Sequence, residues 1–118
     1  MLVLLPLLAC GPRATVVSWP SLSRSHTVVH VPAGAGWSLT TSVGGEHVDR
    51  YLLVPEGCHT VSVTGEDGLQ VDTDDAHARR EGDTWTLLDP EPTEGVHVFE
   101  VYAHPVARYT FRITSCEG

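Results

Sequence analysis

From Gly11 onward the polar and apolar positions alternate in short stretches, and no stretch keeps the three-to-four residue spacing of a helix. The clearest case closes the chain. Tyr109, Phe111 and Ile113 interleave with Arg108, Thr110, Arg112 and Thr114, which gives one apolar and one polar face. Just before it, Val96, Val98 and Tyr102 fall on one face and His97, Phe99, Val101 and Ala103 on the other. Apolar groups on both faces predict a strand with neighbours on either side. Further strands are predicted at Ala14–Trp19, His26–Val31, Trp37–Ser42, Val48–Val54, Cys58–Thr64, Leu69–Asp72 and Thr84–Leu88. The stretch from Asp72 to Asp83 is the least strand-like, and Ala76–Glu81 reads as a helical turn or a long loop.

Turn residues separate these strands. Pro32-Ala33-Gly34-Ala35-Gly36, Gly44-Gly45-Glu46, Pro55-Glu56-Gly57 and Gly65-Glu66-Asp67-Gly68 each combine a fixed φ, a free φ or a polar tip. His104-Pro105 is a short connection that predicts a C-terminal hairpin. Eight to nine short strands with turns at this spacing predict an all-β fold: a single antiparallel β-sandwich, jelly-roll-like. With 118 residues the chain makes one domain.

The first residues follow a different pattern. Leu2 to Leu8 is apolar but far too short to span a bilayer, which takes about 20 residues. It has the character of a secretory signal core, although no Lys or Arg precedes it. Leu7-Leu8-Ala9-Cys10 resembles a bacterial lipobox, in which the cysteine thiol is diacylated and becomes the new N-terminus. The expected organisation is a signal at residues 1–9, a lipid-anchored tether at 10–13 and a sandwich at 14–118. Gly11 and Pro12 follow Cys10, with no aspartate to mark inner-membrane retention. The expected location is therefore the bacterial envelope, at the outer membrane.

Fifteen acidic residues face seven arginines and no lysine, for a formal charge of −8. Such a chain repels phosphates, which excludes nucleic acid as a partner. It favours cations and basic proteins. Cys58 opens one strand and Cys116 follows the last, and in antiparallel neighbours those ends meet. A structural disulfide is expected, since no Cys-x-x-Cys spacing marks a redox pair.

From Trp37 to Ser115 the chain resembles the bacterial pre-peptidase C-terminal domain family. The matching residues are Gly45, Asp49, Tyr51, Leu52-Leu53-Val54, Pro55-Glu56-Gly57, Thr60-Val61-Ser62-Val63-Thr64, Gly95 to Val101, and Tyr109-Thr110-Phe111. The family's acidic middle strand is replaced by Asp72-Thr73-Asp74-Asp75 followed by Ala-His-Ala-Arg-Arg. The resemblance implies a sandwich without catalysis that serves binding or secretion.

Candidate chemistry is sparse. Glu66, Asp67, Asp72, Asp74 and Asp75 offer oxygens to Ca²⁺, without EF-hand spacing. Trp19, Trp37 and Trp85 are candidates for an aromatic binding face. His26 and His30 stand about 13 Å apart on one strand, and His59, His77, His97 and His104 lack zinc spacing. No nucleophile elbow or phosphate loop is present, so no enzyme and no cofactor beyond Ca²⁺ is expected. The functional expectation is a lipid-anchored binding or accessory module whose partner is the membrane together with an envelope protein or polysaccharide. The alternatives are an envelope structural protein, an inhibitor of a lytic enzyme drawn in by charge, or a metal-binding protein. Intact mass of the protein taken from bacterial membranes tests the leader and the cysteines together. The expected mass begins at Cys10 and carries acyl groups, with two thiols alkylated only after reduction; a chain starting at Met1 with three free thiols overturns both expectations.

Overall fold

The computed structural model describes residues 13–73, 78–87 and 96–116. Met1 to Ala9, Cys10, Asp74, Asp75 and His77 lie outside the described residues. Among the described residues there are ten strands: β1 Thr15–Ser21, β2 Arg24–Val31, β3 Trp37–Gly44, β4 Val48–Pro55, β5 His59–Gly65, β6 Leu69–Thr73, β7 Ala78–Glu81, β8 Thr84–Leu87, β9 His97–Ala103 and β10 Val106–Ser115. They form two five-stranded sheets. The first has the order β1-β2-β4-β9-β6 and the second β3-β10-β5-β8-β7. The result is the expected all-β sandwich, with antiparallel pairing throughout except for β2 beside β4.

That parallel pair follows from the path of the chain. β2 runs down the first sheet, β3 climbs the second, and β4 descends the first again beside β2. Strand β3 is thus the crossover that a parallel pair requires. The turn at Gly44–His47 carries this return. An added Cβ on Gly44 would collide with the backbone of Pro105 and Val106, so the residue that starts this turn is glycine by necessity.

Two expectations change. The Ala76–Glu81 region is not helical where it is described: Ala78–Glu81 is strand β7, paired with β8. The chain has a partner edge there, and edge pairing satisfies its backbone where a loop would not. The C-terminal pair is not a hairpin either. β9 belongs to the first sheet and β10 to the second, so His104-Pro105 turns the chain across the sandwich. Period-2 patterning fixes which face of a strand is buried but not which sheet it joins. β9 does have neighbours on both sides, β4 and β6.

The core lies between the sheets. Thr27, Val29 and Val31 of β2, Tyr51 and Leu53 of β4, and His97, Phe99, Val101 and Ala103 of β9 face inward from the first sheet. Ala107, Tyr109, Phe111 and Ile113 of β10 and Val61 and Val63 of β5 face them from the second. Tyr51 and Phe111 stack across the gap with centroids 4.1 Å apart, and Phe99 meets Phe111 edge-on at 5.9 Å. Trp85 meets Phe99 edge-on at 5.8 Å. Cys58 and Cys116 form the expected disulfide, with Cα atoms 5.4 Å apart, between the adjoining ends of β5 and β10. Closing a loop of this length stabilises the fold by about 4 kcal/mol in the chain-entropy account.

Phe111 meets three aromatic rings, Tyr51, Phe99 and Trp37, and is fully buried. Phe111→Ala is expected to lower the unfolding free energy by about 3–5 kcal/mol, read from urea denaturation midpoints.

Candidate functional site

Four turns meet at one end of the sandwich: Leu22-Ser23, Gly44–His47, Glu66–Gly68 and His104-Pro105. The pairings of Arg24 with Val48, Asp49 with Val101, Leu69 with Ala103 and Val106 with Gly44 bring them together. Leu22 and Val106 project there as exposed apolar side chains, and Glu46, Glu66 and Asp67 are exposed acids.

Beneath these turns a chain of polar groups runs from the surface into the core. Ser25 Oγ lies 2.8 Å from His47 Nε2. His47 Nε2 lies 3.4 Å from Asp49 Oδ1. The Tyr109 hydroxyl donates to Asp49 Oδ2 at 2.5 Å, and the Tyr51 and Tyr109 hydroxyls are 2.5 Å apart. Asp49 and Tyr51 share the inner face of β4 because they are two residues apart, and Tyr109 reaches them from β10 in the opposite sheet. Burial raises the Asp49 carboxyl above its ordinary value, against the opposing pull of Tyr109 and then His47. Burial also raises both tyrosine hydroxyls well above their ordinary range, so they stay protonated and able to donate.

Serine, histidine and aspartate in sequence contact invite comparison with a hydrolase triad. The geometry is different. A triad needs the carboxylate on Nδ1 and the serine on Nε2, so that the ring passes a proton between them. Here both groups address the same nitrogen, Nε2. The set pins the Gly44–His47 turn and caps the buried carboxylate. Sequence reading singled out Asp49 and Tyr51 only through the family resemblance and missed Ser25 and His47, which are 22 residues apart and carry no spacing signal.

Beside this end, a cavity of about 290 Å³ opens where β6, the edge of the first sheet, faces β5 and β8 of the second. Val63, Leu69, Val71 and Trp85 supply apolar walls, and Glu66, Asp67 and Asp83 supply carboxylates. Glu66 Oε1 accepts the Arg108 backbone N–H at 2.8 Å, which fixes its direction. Gly68 closes the turn at φ +94, and a Cβ there would press on the His104 carbonyl oxygen at 2.7 Å. Its exposed lining is mainly polar and includes three carboxylates, which suits the charged head of an arginine or lysine.

The residues expected to form sites are scattered. Asp67 lines this cleft, whereas Asp72 is exposed on β6 and accepts the Tyr102 hydroxyl at 3.1 Å. Among the described residues no three His, Cys, Asp or Glu side chains gather to hold a metal ion. The three tryptophans do not make one face. Trp19 is exposed and stacked on His26 at 5.4 Å, Trp37 is half-buried against Tyr51 and Phe111, and Trp85 is a core residue. Alternation assigned them no common face, and the two-sheet packing separated them. His59 is buried with Nε2 3.1 Å from the Ala35 carbonyl oxygen, His97 is buried in β9, and His30 and His104 are exposed.

The class defined by this architecture is a disulfide-closed, acidic β-sandwich with a turn-built end. No protein-family model matches the chain, and no curated protein sequence matches it. One solved structure that does correspond is PliG of Aeromonas hydrophila, a periplasmic lysozyme inhibitor of g-type lysozyme. The two share the fold with a TM-score of 0.52 and 17% identity, over 75% of this chain and 97% of PliG.

Two buried groups give opposite dependences on pH. Burial lowers His97 from its ordinary 6.5, so the unfolded chain takes up a proton there that the fold resists. Its stabilising contribution is complete above pH 6.5 and is lost as pH falls below it. Asp49 is raised from 3.8, so the fold holds that proton more tightly and gains stability as pH falls toward 3.8. His97→Gln is expected to remove the loss below pH 6.5, and Asp49→Asn the gain at lower pH, in melting midpoints measured from pH 8 to pH 4.

Proposed function

We propose that this protein is a non-catalytic inhibitor of a cell-wall-lytic muramidase, held outside the cytoplasm by a lipid on Cys10. The observation that carries the reading is the correspondence of its sandwich with nearly the whole of PliG, whose partner is a g-type lysozyme. The charge of −8 supports it, because an acidic protein attracts a basic enzyme and speeds their encounter. The Ser25–His47–Asp49 arrangement supports a binding role, since a hydrogen bond from Ser25 and the contact of His47 with Asp49 hold a turn in place. The cleft with Glu66, Asp67 and Asp83 is the surface we assign to a cationic side chain of the enzyme. Leu22 and Val106 supply apolar contact at the same end. The lipobox and the disulfide fit an exported protein, and anchoring would leave the turn end free to meet an enzyme entering the envelope.

A second reading, an accessory module for envelope polysaccharide or protein, draws on the pre-peptidase family resemblance. Three residues that carry it, Asp49, Tyr51 and Tyr109, are joined in one hydrogen-bonded set.

Turbidity assays on peptidoglycan with g-type and other muramidases decide between the two. The expected result is stoichiometric inhibition of at least one enzyme, weakening as salt rises. Asp67→Arg combined with Asp83→Arg is expected to weaken inhibition at least about tenfold, with the thermal midpoint little changed. Full activity of every muramidase, together with retention of the protein on envelope polysaccharide, favours the accessory module instead.

A further inference from the structure

Strand β1 stands apart from the other edges of the sandwich. All seven of its residues are exposed, and among the described residues it pairs with β2 alone. Between Thr15 and Ser23 there is no charged side chain, in a chain that carries 15 acidic residues and 7 arginines. Four of the six large hydrophobic side chains exposed among the described residues fall here: Val16 at 37%, Val17 at 57%, Trp19 at 44% and Leu22 at 104%. Proteins ordinarily guard a free edge with charge, and the β6 edge does so with Asp72. The β3 edge exposes Ser38, Thr40 and Ser42 instead.

The edge is also shaped to pair. Leu22 and Ser23 form a two-residue turn closed by Ser21 and Arg24, so Ser21, Trp19, Val17 and Thr15 bond to β2. The backbone N–H and C=O groups of Val16 and Ser18 then point away from the sheet. Pro20, which has no N–H, also falls at an outward position, so in an antiparallel pair centred on Ser18 the Val16 carbonyl of each copy lacks a donor opposite it, and the bonds of Ser18 and of the Val16 N–H carry the pairing.

We infer that β1 is a self-association edge: two copies pair their β1 strands antiparallel about a two-fold axis near Ser18 and join their first sheets into one. The occupant is a second copy for two reasons. Each copy carries −8, so copies repel except where the surface is uncharged, and of the two uncharged edges, β1 and β3, β1 is the one that exposes large apolar side chains. The four apolar side chains expose about 450 Å² per copy, taking residue areas on the order of 150–250 Å². Doubled by symmetry this is about 900 Å² at most, below the roughly 1,200 Å² of stable specific interfaces, so the contact belongs to the weak, concentration-dependent class. A two-fold axis makes the pairing close on itself as a dimer. Val17 of one copy comes beside Trp19 of the other, and Leu22 beside Ala14. The apolar row Val17–Val28–Leu52–Val98 on the outer face of the first sheet continues into the second copy.

An interface of this size is weak, so the test spans concentration. Sedimentation of the 118-residue chain from micromolar to millimolar concentration is expected to move from 12.8 kDa toward twice that mass. Hydrogen exchange at the Val16 and Ser18 amides is expected to slow as concentration rises. Val17→Lys sets two ammonium groups close together across the axis, and it is expected to hold the chain monomeric with concentration-independent exchange. A single-chain mass at every concentration overturns the inference. So does a mass increase that survives Val17→Lys, or protection of Val16 and Ser18 that is independent of concentration in the unmodified chain.

Discussion

The Tyr109 hydroxyl holds the two sheets in register. It donates to Asp49 of the opposite sheet and meets the Tyr51 hydroxyl, both at 2.5 Å. A carboxylate this deep is costly without donors, and hydrogen bonds to charged groups contribute about 1.5–3 kcal/mol where they form. The stack of Tyr51 on Phe111 lies beside this polar contact, so one pair of strands, β4 and β10, supplies both the apolar and the polar attachment between layers. A slip of β4 by one residue would turn Asp49 and Tyr51 to solvent, and a slip of β10 would turn out Tyr109 and Phe111; either breaks the contact between layers. The disulfide ties β5 to β10 far along the second sheet and adds stability without choosing this register.

What that register positions is the turn end. Asp49 is fixed from below, His47 leans on it from the Gly44–His47 turn, and Ser25 steadies His47 from β2. The neighbouring cleft depends on the same packing, because its floor residue Trp85 rests on Phe99, which rests on Phe111. The proposed binding surface is therefore built on rigid strands with short turns, which lowers the ordering cost that a partner would otherwise meet. β1 lies outside this arrangement. It contributes no buried side chain, and its place in the molecule is explained by what it offers to another chain.

The resemblance and the structural correspondence bear on different levels. The residues on which the resemblance was read include Asp49, Tyr51 and Leu53 on the inner face of β4 and Tyr109, and in the structure these serve packing. The correspondence with PliG concerns the path of the chain through two sheets.

The sequence by itself determined the all-β class, the alternation of apolar and polar faces in β10, the two-sided neighbours of β9, most strand boundaries to within a residue or two, and the pairing of Cys58 with Cys116. Each of these is local or rests on a single pairing of strand ends. Tertiary structure alone decided that β9 and β10 part into different sheets, that β2 and β4 run parallel, that Ala78–Glu81 is a strand, and that the three tryptophans separate. It also brought Ser25 to His47 and set Asp67 beside Asp83, pairs that are 22 and 16 residues apart. The reason is physical: period-2 alternation fixes the face of a residue, while the sheet a strand joins depends on which distant partner satisfies its backbone and buries its side chains.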